Sequence, residues 1–121
     1  MHRLRPAFGL KGRQFYHEAA APPPEIAAKL PNLYSQENKD PSRVKVPVKF
    51  FNPCGAGTWY ATEYDPETRM CFGYCHISDG ELGYFSLDEL ESLRLPFGLG
   101  IERDLHWNEE TTLKTILDRG H

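Results

Sequence analysis

The sequence contains no long apolar run, and this absence excludes an integral membrane protein. No stretch of the 121 residues approaches the roughly 18 consecutive apolar residues that a membrane-spanning helix requires. The basic N-terminal segment also lacks the uninterrupted apolar region, about 7–15 residues long, that is typical of a secretory signal. We therefore expect a cytoplasmic protein.

Cysteine is scarce, with Cys54, Cys71 and Cys75 in the whole chain. Three is an odd number and too few to crosslink a small secreted domain. With His76 these cysteines include the residue types of a zinc site. However, Cys71 and Cys75 would lie about 13 Å apart on one face of a predicted strand, at roughly 3.3 Å per residue. We predict small buried apolar residues instead, with no metal and no cofactor.

Catalytic motifs are missing too. No cysteine lies in a recognisable nucleophile signature, and the glycine pairs in GLKG and GLG lack the strand–loop–helix context of a phosphate loop. Glu102 and Asp104 lie on one face of a predicted strand, where paired acids could do acid–base work. Arg103 between them is more typical of a solvated surface. We predict no catalytic residue and expect a protein that is not an enzyme.

What the sequence does contain is the pattern of an antiparallel sheet. Alternation of apolar and polar residues predicts the first strand, and Pro47 marks it as an edge strand because proline cannot donate to a sheet hydrogen-bond ladder. The connections are short enough for hairpins and too short for parallel crossovers. Strands are predicted at 44–51, 58–64, 70–77, 82–85 and 101–107. The fold class is therefore α+β, a single antiparallel β-meander of about four or five strands with short helices packed on it.

Three short helices are predicted, one before the strands, one between the last two and one after them. The first covers 24–30 and ends at Pro31. The second begins at Ser86, which forms a capping box with Glu89. The third follows a cap at Asn108 and covers roughly 109–118. The residues expected to be buried on these helices are Ile26, Leu30, Leu87, Leu90, Leu93, Leu113, Ile116 and Leu117.

Charge divides the chain unevenly. Residues 1–49 carry nine Lys/Arg and four Asp/Glu, a net charge of +5, whereas residues 50–121 carry five and thirteen, a net charge of −8. Residues 1–22 show no helical or strand periodicity and are interpreted as a basic N-terminal arm, followed by a single domain at 23–121. The usual meaning of this asymmetry is a basic tail and a solvated acidic surface. An acidic face could also dock into a positively charged groove.

Aromatic residues concentrate in the predicted meander. Base stacking on a sheet would also need a positive groove, whereas this region is acidic, so packing in the core explains most of the aromatic residues better. Tyr64 and Tyr84, if exposed, would be the candidates to contact a protein partner, because tyrosine is favoured at interfaces. The aromatic set is Trp59, Tyr60, Tyr64, Phe72, Tyr74, Tyr84 and Phe85.

The motifs PVKFFNP, GTWYATEYD, CFGYC and ELGYFSLDELESLRLPFGLGIERDLHW occur in that order. This run resembles a bacterial family known as domain of unknown function 2958, and EIAAKLPNLYSQENKDP resembles its N-terminal helix and loop. The resemblance covers about residues 25–107. Members are known mainly from plasmids, integrative elements and phages, often among accessory and anti-restriction genes. The family has no established catalytic residues, so none is carried over to this chain.

The resemblance and the charge asymmetry together predict a non-enzymatic binding protein of a mobile genetic element or phage. We expect it to inhibit a host defence complex, in the manner of an anti-CRISPR or anti-restriction protein, through an acidic, aromatic-rich surface. Its partner would be a protein such as a defence nuclease or effector complex. The candidate contact residues are Tyr64, Asp79, Glu81, Tyr84, Glu102 and Asp104.

Two alternatives belong to other classes. The first is a nucleic-acid-binding accessory factor whose basic arm binds phosphates through Arg3, Arg5, Lys11 and Arg13. Such binding would weaken steeply with salt because of counterion release. The second is a small carboxylate-dependent hydrolase.

Overall fold

The centre of the fold is an antiparallel sheet in which the first four strands follow one another as hairpins. The computed structural model describes residues 24–119. The strands are β1 (Val48–Phe51), β2 (Thr58–Asp65), β3 (Met70–His76), β4 (Gly80–Ser86) and β5 (Glu102–Arg103). Their order across the sheet is β4-β3-β2-β1-β5. The predicted α+β meander is confirmed.

One face of the sheet packs against the first two helices, α1 (Pro24–Lys29) and α2 (Leu87–Ser92). Directly paired residues lie on the same face of a sheet, and the pairs Phe50–Trp59 and Trp59–Cys75 put one row of side chains on this face. The apolar positions predicted for α1 are buried here. The core cluster of this face is Ile26, Leu30, Val48, Phe50, Trp59, Ala61, Tyr64, Cys71, Phe85, Leu87 and Leu90.

The opposite face packs against α3 (Leu113–Asp118). The segment before β1 is tied to this helix, since Val46 N–H donates to the Thr111 carbonyl over 2.8 Å and Leu113 N–H donates to the Val44 carbonyl over 2.7 Å. These bonds replace pairing within the sheet. The predicted strand at 44–51 is therefore wrong over its first residues. The core cluster of this face is Val44, Val46, Tyr60, Tyr74, Leu113 and Ile116.

A buried carboxylate fixes the loop that follows α1. Glu63 lies at an irregularity in the β2–β3 register and is 0% exposed. Its carboxylate accepts hydrogen bonds from Tyr34 N–H at 2.7 Å and Gln36 N–H at 2.9 Å. Two backbone donors compensate for much of the lost hydration of a buried charge. The loop is thereby held against the sheet, with Tyr34 in a left-handed conformation at φ 73°.

The first and last strands differ from the sequence prediction. Pro47 does not mark an edge strand, because β1 lies between β2 and β5 and pairs with β5 through Phe50–Arg103 and Phe51–Glu102. The last strand is much shorter than the predicted 101–107. It ends where the Asp104 carboxylate accepts the His106 N–H at 2.9 Å, a local bond that turns the chain away from the sheet.

The helix caps confirm one prediction and correct another. Ser86 caps α2, with its hydroxyl accepting the Glu89 N–H at 3.2 Å. The cap of α3 is Thr112, whereas the side chain of Asn108 forms a separate turn with Glu110 N–H. The Asn108 cap was therefore wrong. The predicted burial also fails at two helix positions, since Leu93 is 42% exposed and Leu117 is half-buried.

Candidate protein-interaction site

Three connecting segments meet at one end of the sheet. The cross-strand pairs Phe51–Thr58, Thr58–His76 and His76–Gly80 form its last row, and Phe51 also pairs with Glu102. Hairpin geometry therefore places the connections 52–57 and 77–79 beyond this row. The segment 93–101 reaches the same end, since Cys54 Sγ lies 3.9 Å from the Pro96 carbonyl oxygen. We call this region the open end, defined as residues 52–57, 77–79 and 93–101 together with the flanking Glu81 and Glu102.

Three of the four predicted acidic contact residues lie at the open end. Asp79 and Glu81 are on the β4 side and Glu102 is on the β5 side, all exposed. The two sides are four inter-strand spacings apart, about 19 Å at roughly 4.8 Å each. None of the three forms an ion pair with any residue of 24–119. The acids thus form two flanks of one end rather than a single patch.

Asp104 has a different environment. Its carboxylate lies 3.7 Å from Lys49 Nζ, and its side chain is 26% exposed. Lys49 Nζ also lies 5.1 Å from the centroid of the Trp107 ring and 5.9 Å from that of Tyr60, within the range of cation–π attraction. Asp104 is therefore engaged within the chain and is a weaker candidate for partner contact.

The two predicted tyrosine contacts are not free surface groups. Tyr64 is 2% exposed, so its ring cannot reach a partner in this fold. Burial raises the pKa of its hydroxyl, an effect that the nearby Arg69 guanidinium partly opposes. Tyr84 is half-buried and packs edge-on against Tyr34 and Phe72, with ring centroids 6.3 Å and 5.0 Å away. The acidic surface is not aromatic-rich as predicted, because the meander aromatics fill the interior.

Sequence reasoning missed the most exposed aromatic side chain of the described residues, Phe97. It is 95% exposed and its backbone is left-handed at φ 63°. Around it, Leu95 N–H donates to the Leu99 carbonyl at 3.0 Å and Leu99 N–H donates to the Pro96 carbonyl at 3.3 Å. The signal in the sequence was the flanking Pro96 and Gly98, which indicate a phenylalanine at the tip of a tight turn.

Neither Cys71 nor Cys75 is an activated nucleophile. Burial raises the pKa of Cys71, and burial with the Glu81 charge raises that of Cys75 to about 11, so both thiols are protonated near neutral pH. Cys54 is exposed, which corrects its predicted burial. Across 24–119 no three His, Cys, Asp or Glu side chains are grouped so that they could hold a metal ion. No helix in this range is long and apolar enough to cross a membrane.

The residues of the first alternative lie elsewhere. Arg3, Arg5, Lys11 and Arg13 fall outside the described residues. The nucleic-acid alternative that rests on them stays a prediction.

Comparison with known proteins identifies the family. A family model described as protein of unknown function, DUF2958, matches residues 23–120. The chain belongs to this family. The predicted membership is therefore confirmed, and the match extends through α3, beyond the residues that carried the resemblance. A search of curated proteins found no match, and a search of solved structures found none either.

Proposed function

We propose that this member of the domain of unknown function 2958 family is a binding protein whose open end docks onto a positively charged surface of a protein partner. The observation that carries the proposal is that Asp79, Glu81 and Glu102 share this end and form no ion pair with residues 24–119. Opposite charges on a partner would steer the encounter and fix its register.

The contrast with three acids in and just before α3 supports this choice. Glu109, Glu110 and Asp118 each pair with a lysine, at 2.5 Å, 2.6 Å and 2.6 Å. Such exposed pairs contribute little to stability, but they neutralise the local potential. The open end keeps its negative potential because no lysine or arginine of 24–119 lies within ion-pair distance of its three acids. A partner would therefore meet a charged surface there and a largely neutralised one around α3.

We further propose that the partner is a nucleic-acid-handling component of a host defence complex, which the open end inhibits by occupying a groove meant for phosphates. The acids support this partner class because they carry the same charge sign as a nucleic-acid backbone. The family's occurrence on plasmids, integrative elements and phages supports it as well. The distance of about 19 Å between the two acidic flanks suits a broad groove better than a small pocket.

The experiment is charge reversal with a matched control. The double variant D79K/E102K should weaken binding to a partner captured from the native host by at least about tenfold, since two attractive contacts become repulsive. Glu67→Lys is the control for each single reversal, Asp79→Lys and Glu102→Lys, because it changes the net charge equally and Glu67 is an exposed acid in the β2–β3 turn at the other end of the sheet. Binding should also weaken as salt rises.

The contradicting result is equally specific. If D79K/E102K binds the partner as tightly as the wild type, the open end is not the docking surface. If deletion of residues 1–22 then abolishes binding, and the captured material is nucleic acid, the basic-arm alternative replaces our proposal.

A further inference from the structure

An apolar cavity opens on the face of the sheet that carries α1 and α2. Its volume is about 140 Å³. Five apolar side chains line it, and the two charged lining residues, Glu91 and Arg103, are more exposed than most of these. Apolar cavities of about 150 Å³ are known to bind benzene, so this one has the size of a single aromatic ring. The apolar lining is Ile26, Phe50, Leu87, Leu90 and Ile101.

The cavity is too small for most metabolites. Small-molecule sites usually occupy about 300–1,000 Å³ and place several polar groups around the ligand. Here the charged lining groups belong to other contacts: the Glu91 carboxylate accepts two hydrogen bonds from Arg69 at 2.9 Å. The cavity therefore suits one neutral apolar ring, such as a benzyl side chain.

Phe97 is a benzyl group without apolar cover among the described residues. It projects into solvent from a turn whose left-handed backbone is unfavourable for a residue with a side chain. Leu93 and Leu99 on either side are 42% and 39% exposed. An exposed apolar group of this kind, held in a defined and strained conformation, is typical of a contact made with another molecule.

We propose that Phe97 of a second copy of this chain occupies the cavity, and that two copies exchange Phe97 reciprocally about a two-fold axis. The chain supplies both halves of the contact, a ring and a cavity of matching size. Ile101 of the cavity lining follows Phe97 by four residues, so the two halves are neighbours on one surface. Such a surface can be self-complementary in a two-fold dimer.

The ring cannot enter its own cavity without breaking its turn. The Leu95–Leu99 hydrogen bond of 3.0 Å closes the loop and directs Phe97 outward. The dimer is expected to be weak, because two rings and their leucine neighbours bury less than the roughly 1,200 Å² of a typical stable interface. Because the contact is apolar, the dimer should not weaken as salt rises.

The test is sedimentation equilibrium of the full chain from micromolar to millimolar concentration. We expect a monomer–dimer equilibrium, with Phe97→Ala raising the dissociation constant at least about tenfold. Leu105→Ala is the matched control, because Leu105 is 76% exposed and does not line the cavity; it should leave the equilibrium unchanged. Ile101→Trp, which fills the cavity with a larger side chain, should act like Phe97→Ala.

Benzyl alcohol serves as a probe of the cavity itself. It should compete with dimerisation and lose its effect in Ile101→Trp. A chain that stays monomeric over the whole range, or a dimer that Phe97→Ala leaves intact, would overturn the proposal. Benzyl alcohol binding to a chain that never dimerises would also overturn it, since the cavity would then take a free aryl ligand. The proposal is independent of the proposed function, whose partner binding weakens as salt rises, whereas the apolar dimer contact does not.

Discussion

Each end of the sheet contains a residue in the left-handed backbone conformation, but the contacts of the two residues differ. At the end opposite the open end, which we call the closed end (residues 65–70 and the start of α2), Arg69 has φ 58°; at the open end Phe97 has φ 63°. The Arg69 guanidinium pairs with Asp88 and, at 2.9 Å, with Glu91. Its carbonyl accepts the Leu87 N–H and its own N–H donates to Asp65. Phe97 projects into solvent.

The difference shows where each end obtains its stability. A left-handed conformation costs a residue with a side chain about 1–2 kcal/mol. At the closed end, ion pairs and backbone bonds within the chain offset that cost. At the open end the side chain of Phe97 contributes no comparable contact within 24–119, and the acids there are likewise without ion pairs. The side chains of the closed end therefore stabilise the fold. At the open end, Phe97 and the acids remain exposed and can contact other molecules.

The largest expected effect follows from breaking the closed end. Arg69→Ala should lower the free energy of unfolding by about 3 kcal/mol, because it leaves the largely buried Asp88 carboxylate without its partner. Arg94→Ala is the matched control. Arg94 is exposed and its guanidinium donates to the backbone carbonyls of Glu91 and Leu93, so we expect a change below about 0.5 kcal/mol. Chemical denaturation of both variants measures the difference; equal midpoints would refute the distinction between the ends.

Local sequence signals were sufficient for most of the closed end. The short hairpin connection between β2 and β3 and the Ser86 cap depend on residues close together in the chain, and both are found. Such signals contain no information about which distant charges meet. The pairing of Arg69 with Asp88, 19 residues apart, and the burial of Glu63 against the loop after α1 therefore could not be predicted from patterns along the chain.

The open end shows the same limit more strongly. The sequence identified Asp79 and Glu102 as contact candidates, but the distance between them depends on strand order, and β5 pairs with β1 rather than with its sequence neighbour β4. The length of β5 was overestimated for a related reason. Trp107 Nε1–H donates to the Val46 carbonyl at 2.7 Å, a bond between residues 61 apart that holds this segment outside the sheet. Non-local contacts of this kind override strand propensity.

A glycine at each left-handed position sharpens the comparison. Phe97→Gly should raise the free energy of unfolding of the monomer by about 1 kcal/mol. Glycine adopts the left-handed conformation without strain, and removal of the exposed Phe97 side chain deletes no apolar contact within 24–119. Arg69→Gly relieves the same strain but should still destabilise the chain, since it also removes the ion pairs to Asp88 and Glu91. Thermal unfolding at low protein concentration, where the monomer predominates, measures both. Destabilisation by Phe97→Gly would show that its side chain does stabilise the open end.

The smallest effect is expected where the open end is most charged. Glu102→Lys and Asp79→Lys should each change the free energy of unfolding by less than about 0.5 kcal/mol, because both side chains are exposed and neither has an ion pair to lose within 24–119. Asp88→Lys, at the closed end, is the contrasting charge reversal. It places a lysine against Arg69 and should destabilise by several kcal/mol. Denaturant titration of the three variants at low and high salt measures these changes in the free energy of unfolding. A cost at Glu102 or Asp79 similar to that at Asp88 would mean that these acids stabilise the fold, and the argument for their role in partner binding would lose its basis.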